Sequence, residues 1–166
     1  MKEILAIDNG LNGGLVHLDS RGKIIGRMVM PTKVEDGRNR VDECELYKVA
    51  MELGMHVTVV LEKPVGSQSV QAATSMADSY ARTLTAFRLA GFEVLPIAPR
   101  TWQKEVFAKV TGEDTKVKAA KVFRAIFPEK VEEFSQTKKG NKSKNIHDGL
   151  VDAALIALYA QRTNYE

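Results

Sequence analysis

The sequence predicts a single α/β domain in which a mixed β-sheet is flanked by helices. Three strand-like segments come first, and further strands then alternate with helices, an order typical of a mixed sheet. The length of 166 residues fits one domain. A hydrophobic content of 44% and a charged content of 27% are typical of globular proteins and argue against disorder.

Five segments have the pattern of strands, because they are short apolar runs closed by glycine, proline or acidic residues. Residues 19–22 form a good hairpin turn between the second and third strands. The polar segment 32–40, which follows Pro31, is predicted to be a mobile loop. The predicted strands are 3–9, 15–18, 23–30, 57–61 and 92–97.

Five further segments have helical spacing of apolar residues. Asp42 is the expected N-cap of the first helix and Gly54 its stop, while Asp114 or Thr115 is expected to cap the fourth. The predicted helices are 42–53, 70–90, 101–110, 114–126 and 146–162.

The sequence contains no sign of secretion or membrane insertion. Cys44 is the single cysteine, so an internal disulfide is excluded and a reducing compartment is expected. No apolar run approaches the roughly 18 residues that a membrane span needs. The N-terminus lacks a signal-peptide pattern. We therefore expect a soluble intracellular protein.

Basic residues concentrate before the last predicted helix. The net charge is only +3, but residues 136–146 carry four lysines and no acid. Such a run suits a polyphosphate partner, although an ordinary solvated loop explains it as well. The candidate nucleic-acid-binding residues are Lys116, Lys118, Lys138, Lys139, Lys142 and Lys144.

Two acidic residues stand at the ends of predicted strands. Asp8 closes an apolar run and precedes the glycine-rich segment 9–14. Glu62 follows the most β-prone run, and functional sites of open α/β sheets gather at strand ends. Each residue alone is weak evidence, because Asp8 can simply begin a turn and Glu62 can pair with Lys63 at the surface.

The last predicted helix gives stronger evidence for a functional site than Asp8 or Glu62 does. Asp148 and Asp152 are four residues apart, which places both on one helix face about 6 Å apart. The helix is apolar nearly all round after Gly149, as a buried helix is. A capping role can explain Asp148 but not Asp152. A lysine, an arginine or, better, a divalent cation must balance the two charges.

These four acids describe a site built from oxygen ligands. Mg²⁺ and Mn²⁺ suit such a ligand set, whereas Zn²⁺ favours histidine and cysteine. His147 stays open as a further ligand, and His17 and His56 are expected to be structural or solvated. Two such ions can activate a water and stabilise the leaving oxygen in phosphodiester cleavage.

The chain resembles RuvC-type Holliday junction resolvases of the RNase H-like superfamily, in the variety found in bacteriophages. Each matching motif is weak alone, but the set follows the family order over nearly the whole chain. The matching segments are LAIDNGLNGG at 5–14, VVLEKP at 59–64, PRTWQK at 99–104 and HDGLVDAALIA at 147–157.

The resemblance implies an RNase H-like nuclease domain over 1–166, with a five-stranded sheet and a basic loop at 138–146 before the catalytic helix. It implies a homodimer that nicks branched DNA, above all four-way junctions, symmetrically and leaves 5′-phosphate and 3′-hydroxyl ends. The implied location is the cytoplasm of a bacterial or phage-infected cell. The implied catalytic ligands of two Mg²⁺ ions, for which Mn²⁺ can substitute, are Asp8, Glu62, Asp148 and Asp152.

The sequence departs from the family pattern in two places. Asn9 stands where the family usually has proline, and the late acids are four rather than three residues apart, with glycine at 149. Lys116 and Lys118 are candidates for assisting catalysis, although plain phosphate contacts are an alternative role. Trp102 and Phe107 are expected to be core anchors rather than base-stacking residues.

Two other functions stay open. An RNase H-like nuclease could use the same site on RNA–DNA hybrids or flaps, and a protein with a degenerate site could bind junctions without cutting them. Actin-like ATPases and sugar kinases share an Ile-Asp-x-Gly opening, but they need a much longer chain with two such domains.

Overall fold

The computed structural model describes residues 1–66, 69–112, 114–137 and 144–166. A single 3₁₀ turn lies at Pro128–Lys130 within these ranges. The strands and helices in chain order are β1 (Ile4–Asp8), β2 (Gly14–Leu18), β3 (Ile24–Val29), β4 (Thr32–Glu35), β5 (Arg38–Val41), α1 (Glu43–Glu52), β6 (Thr58–Glu62), α2 (Val70–Leu89), β7 (Val94–Ile97), α3 (Pro99–Val106), α4 (Thr115–Ile126), β8 (Ser135–Thr137), β9 (Lys144–Ile146) and α5 (Asp148–Thr163).

A mixed five-stranded sheet forms the centre, in the order β3-β2-β1-β6-β7. The strands β1, β2 and β3 form an antiparallel meander, and β6 and β7 extend it in parallel with β1. The register pairs Ile7 of β1 with Leu61 of β6. Asp8 and Glu62 therefore leave adjacent strands at the same edge of the sheet.

The sheet separates two hydrophobic cores, because successive strand residues point to opposite faces. Ile4 and Ala6 belong to the core that α5 covers, with Phe123 of α4. Leu5 and Ile7 belong to the core on the other face, under α1 and α2. Most residues of α5 are buried, which confirms the prediction from its apolar pattern.

The predicted α/β fold class, the five sheet strands and the five helices are confirmed, with boundaries shifted by a few residues. The helix predicted at 101–110 spans Pro99–Val106 instead, because Pro99 is accepted in its first turn. In the described part of the chain, no helix is long and apolar enough to cross a membrane.

The prediction of a mobile loop at 32–40 is wrong, because this segment forms the β4–β5 hairpin. Asp36 and Gly37 make its turn with φ of 51° and 71°, as a two-residue hairpin turn requires. The predicted basic loop at 138–146 is wrong at its C-terminal end, because 144–146 form β9, which pairs with β8 at 135–137.

A network of charged side chains holds the β4–β5 hairpin against α1 and α2. Arg82 of α2 donates to Glu43 over 2.7 Å, to Asp78 over 3.1 Å and to Glu35 of the hairpin. Lys33 of the hairpin lies 2.8 Å from Glu43. Although burial opposes it, hydrogen bonds from Lys33 and Arg82 lower the pKa of Glu43 to about 2. These tertiary contacts order a segment whose polar composition is typical of loops.

Candidate active site

The four acids singled out in the sequence converge at one edge of the sheet. Asp8 ends β1 and Glu62 ends β6, while α5 packs across β1 and β2 and supplies Asp148 and Asp152. The carboxyl group of Asp8 is close enough to the other three to experience their negative charge. Asp8, Asp148 and Asp152 line an open cleft of about 590 Å³. Glu62 is not among the lining residues, but it lies close enough to Asp8 to raise the pKa of that residue.

Glycines allow the loop after Asp8 to touch the start of α5. A Cβ at Gly149 would lie 2.6 Å from Gly13 Cα, and one at Gly14 would lie 2.7 Å from Leu150 Cδ2. At Gly149 the close neighbours are backbone atoms, so a larger residue would push the loop and the helix apart, whereas the Leu150 methyl group near Gly14 could move aside. The close approach explains why position 149 is glycine. Without a side chain there, the backbone of the loop after β1 can contact the helix that carries the two aspartates.

Burial and mutual repulsion oppose ionisation of these acids. Burial raises the pKa of Asp8 well above its ordinary value, and the charges of Glu62 and Asp152 raise it further. Burial also raises the pKa of Glu62, although hydrogen bonds from Trp102 and Asp8 oppose the shift. The pKa of Asp152 rises to about 7 through burial and then the charges of Glu62 and Asp148, with Lys116 acting in the opposite direction.

Asp148 has a different environment from Asp152. The side chain of Asp148 is 52% exposed, so the expectation that both aspartates lie on a buried face is wrong for Asp148. Lys116 Nζ lies 3.0 Å from Asp148 Oδ2 and supplies the positive partner that the sequence required. His147, rather than Asp148, caps α5: its Nδ1 accepts a hydrogen bond from Leu150 N at 3.2 Å.

The candidate DNA-binding lysines differ in where they lie relative to the cleft. Lys116 lines the cleft, whereas Lys118 lies beside Gly112 and is not among the residues that line it. The backbone of Lys144 belongs to β9, whose neighbouring Asn145 borders the cleft. The remaining candidates lie outside the described residues: Lys138, Lys139 and Lys142.

Two contacts at the site were not predicted from the sequence. Trp102 is fully buried, which agrees with its expected role as a core anchor, but its Nε1 also donates to Glu62 Oε1 over 2.7 Å. Asn9 Nδ2 donates to the carbonyl oxygen of Met76 on α2, and Asn9 Oδ1 is buried with no hydrogen-bond partner among the described residues. Both contacts join residues far apart in the chain, so local patterns do not reveal them.

The carboxylate oxygens of the four acids suit a hard divalent cation, although in the structure these side chains bind other side chains. Across 1–66, 69–112, 114–137 and 144–166, no three acidic, histidine or cysteine side chains are spaced to hold an ion. Asp8 instead shares a hydrogen bond with Glu62, and Asp148 pairs with Lys116. The excess of buried carboxylate charge and the oxygen-only ligands nevertheless fit Mg²⁺ or Mn²⁺. Ion binding would require Asp8 and Glu62 to separate and Asp148 to release Lys116.

The central sheet and the flanking helices match the RNase H-like fold of solved RuvC structures. Thermus thermophilus RuvC in complex with a Holliday junction substrate matches with a TM-score of 0.63 and 18% identity, covering 99% of this chain and 98% of that chain. Another Thermus thermophilus RuvC structure matches with a TM-score of 0.61 and 18% identity, covering 98% and 97%.

These matches confirm the predicted resemblance to RuvC at the level of the fold. No protein-family model matches the chain, and no curated protein matches it in sequence. The fold likeness therefore extends over the whole molecule while the sequences have diverged widely.

We predict that Gly149→Ala lowers the free energy of unfolding by about 1–3 kcal/mol, because a new methyl group meets the backbone of 12–13. Helix propensity alone would favour alanine by about 1 kcal/mol and raise the free energy of unfolding. The sign of the measured change therefore shows whether the steric clash or the helix propensity is larger. Urea denaturation measures the change. Gly66→Ala is the control, since a Cβ there meets nothing within 4 Å. A Gly149→Ala protein as stable as wild type would contradict the close contact.

We also predict that Asp152 destabilises the fold at neutral pH. Its folded-state pKa of about 7 exceeds the ordinary 3.8, so the folded protein binds more protons between these values and stability falls as pH rises through them. Asp152→Asn should therefore raise the free energy of unfolding at pH 8 in EDTA by on the order of 2 kcal/mol and flatten its dependence on pH.

Thermal unfolding from pH 5 to 8 tests this. The matched control, Glu52→Gln, neutralises an exposed acid far from the cleft and should leave the melting temperature nearly unchanged. An Asp152→Asn protein that melts below wild type at pH 8 would show that the carboxylate is stabilised rather than strained.

Proposed function

We propose that this protein is a Mg²⁺-dependent, structure-selective endonuclease that resolves four-way and other branched DNA junctions by paired symmetric nicks. The observation that carries the proposal is one open cleft lined by Asp8, Asp148 and Asp152, with Glu62 next to Asp8 on the adjacent strand. The fold supports it, because a solved RuvC structure of the same fold holds a Holliday junction substrate.

In this proposal the four carboxylates hold two Mg²⁺ ions, for which Mn²⁺ can substitute. When bound, the ions supply Lewis-acid activation of a water and charge stabilisation at the leaving oxygen, giving 5′-phosphate and 3′-hydroxyl ends. Asp8, Glu62 and Asp152 would provide the partly buried ligands. Asp148 provides an exposed ligand at the mouth of the cleft, where its partner Lys116 is positioned to receive a phosphate of the DNA.

The charge of the site links ion binding to DNA binding. Four carboxylates in one cleft repel a phosphodiester, and the protein's net charge of +3 is too small to overcome this locally. The four acids would be balanced by two bound divalent ions, and the basic residues around the cleft would then dominate its potential. Affinity for DNA is therefore expected to depend on the cation as well as on salt.

Basic residues beside the cleft offer a path for a DNA strand. A second, smaller cleft of about 270 Å³ adjoins the first, and both include Lys116, Asp148 and Asp152. Arg124 of α4 lines the smaller one. Further DNA contacts are predicted from Lys118, Lys138, Lys139, Lys142 and Lys144. A homodimer that would place two such sites on one junction is also a prediction.

The direct test is strand cleavage of a synthetic four-way junction, beside a linear duplex and an RNA–DNA hybrid. We expect paired, ligatable nicks on the junction in Mg²⁺ and none in EDTA. Asp152→Asn should reduce the rate by about 100-fold or more, a loss of roughly 3 kcal/mol of transition-state stabilisation. Glu52→Gln, an exposed acid elsewhere, should cut at the wild-type rate.

Other outcomes assign the protein differently. Preferential cutting of the hybrid would keep the site and change the substrate to that of an RNase H-like nuclease. Tight junction binding without cutting, in Mg²⁺ and in Mn²⁺, would contradict the enzyme and leave a junction-binding protein.

A further inference from the structure

We propose that Trp102 is a positioning residue that holds the Glu62 carboxylate, through its indole N–H, in the orientation that binds a divalent cation. The inference rests on the proposed function, because it concerns how that site keeps one of its ligands in place. It assigns a role to a residue of the segment 99–104 beyond packing.

The contact itself is short and specific. Trp102 Nε1 lies 2.7 Å from Glu62 Oε1, at the lower end of the range for an N–H donor on a charged oxygen. An indole has one donor and no acceptor, so this bond uses the whole hydrogen-bonding capacity of the side chain. Breaking it would leave a fully buried N–H without a partner.

The ring that makes this contact is itself fixed. Trp102 belongs to the core cluster formed with α5, and Phe107 packs edge-on against it with ring centroids 5.5 Å apart. The backbone also fixes α3 beside Glu62, because Lys63 N donates to Ile97 O over 2.7 Å, just before α3 begins. A rigid donor therefore faces the end of β6.

Glu62 has a particular need for such a donor. A glutamate has more rotatable bonds than an aspartate, so its carboxylate must lose more freedom before it can act as a ligand. Its other described side-chain hydrogen-bond partner is Asp8, which is itself a candidate ligand. The indole bond is thus the contact that can persist when an ion draws Asp8 and Glu62 apart, and outer partners of this kind orient metal ligands.

Trp102 is the single tryptophan of the chain, which makes the contact directly observable. Protein labelled with ¹⁵N should give one indole N–H resonance. Glu62→Gln, which replaces a charged acceptor by a neutral one, should shift the proton of that resonance upfield. An unchanged resonance would overturn the proposal without any reference to cleavage.

The second measurement is the affinity for Mg²⁺ by calorimetry on protein stripped with EDTA. Trp102→Phe keeps an aromatic ring but removes the donor, and it should weaken binding by about 10–100-fold. Phe92→Leu is the matched control, because it removes a comparable edge-on ring contact, with Phe87, in the core on the other face of the sheet and leaves Trp102 and its packing in place. It should bind Mg²⁺ within about twofold of wild type.

A third measurement covers the case in which Trp102→Phe does not fold. Biosynthetic replacement of the only tryptophan by benzothienylalanine exchanges the N–H for sulfur and preserves the ring shape. The same loss of Mg²⁺ affinity is expected.

In the unsubstituted protein, paramagnetic Mn²⁺ should broaden the indole resonance at low occupancy.

The outcomes separate the two proposals. If the wild type cuts junctions with Mg²⁺ while the substituted proteins bind Mg²⁺ as tightly, the positioning role is overturned and the proposed function stands. If the wild type neither binds Mg²⁺ nor cuts any substrate, both are overturned.

Discussion

Asp8, Glu62 and Asp152 lie partly buried and close enough to influence one another's ionisation, and the arrangement of the site depends on how their charge is balanced. Burial and neighbouring negative charge raise the pKa of Asp8 and of Asp152, the latter to about 7. Such an arrangement costs stability in a folded protein unless protons or cations balance it. In the structure a hydrogen bond between Asp8 and Glu62 and an ion pair between Lys116 and Asp148 supply part of that balance.

The fold brings these charges together by two simple means. The parallel pairing of β1 with β6 places the last residues of both strands side by side. The glycine contact between 12–13 and Gly149 then sets the start of α5 against the loop after Asp8. The strand pairing and the glycine contact do not depend on the acids themselves. Burial of the two hydrophobic cores provides the free energy that keeps the repelling carboxylates in place.

The sequence predicted much of this arrangement because its signals are local. Asp8 and Glu62 close apolar runs, and Asp152 interrupts a helix that is otherwise apolar, so each acid is conspicuous within a few residues. The hairpin at 32–41 was missed although Asp36 and Gly37 are typical turn residues, since its stability comes from Arg82, more than 40 residues away. The bond from Trp102 to Glu62 and the pair of Lys116 with Asp148 likewise depend on how α3 and α4 pack.

A two-cation site formed by Asp8, Glu62, Asp148 and Asp152 can be tested directly. Crystals soaked in Mn²⁺ and measured at the manganese absorption edge would locate bound ions directly through their anomalous scattering. We predict two peaks in the cleft, within bonding distance of oxygens from Asp8, Glu62, Asp148 and Asp152, and a moved Lys116 side chain. A cleft without a peak, with Asp8 and Glu62 still hydrogen-bonded at saturating Mn²⁺, would contradict the account.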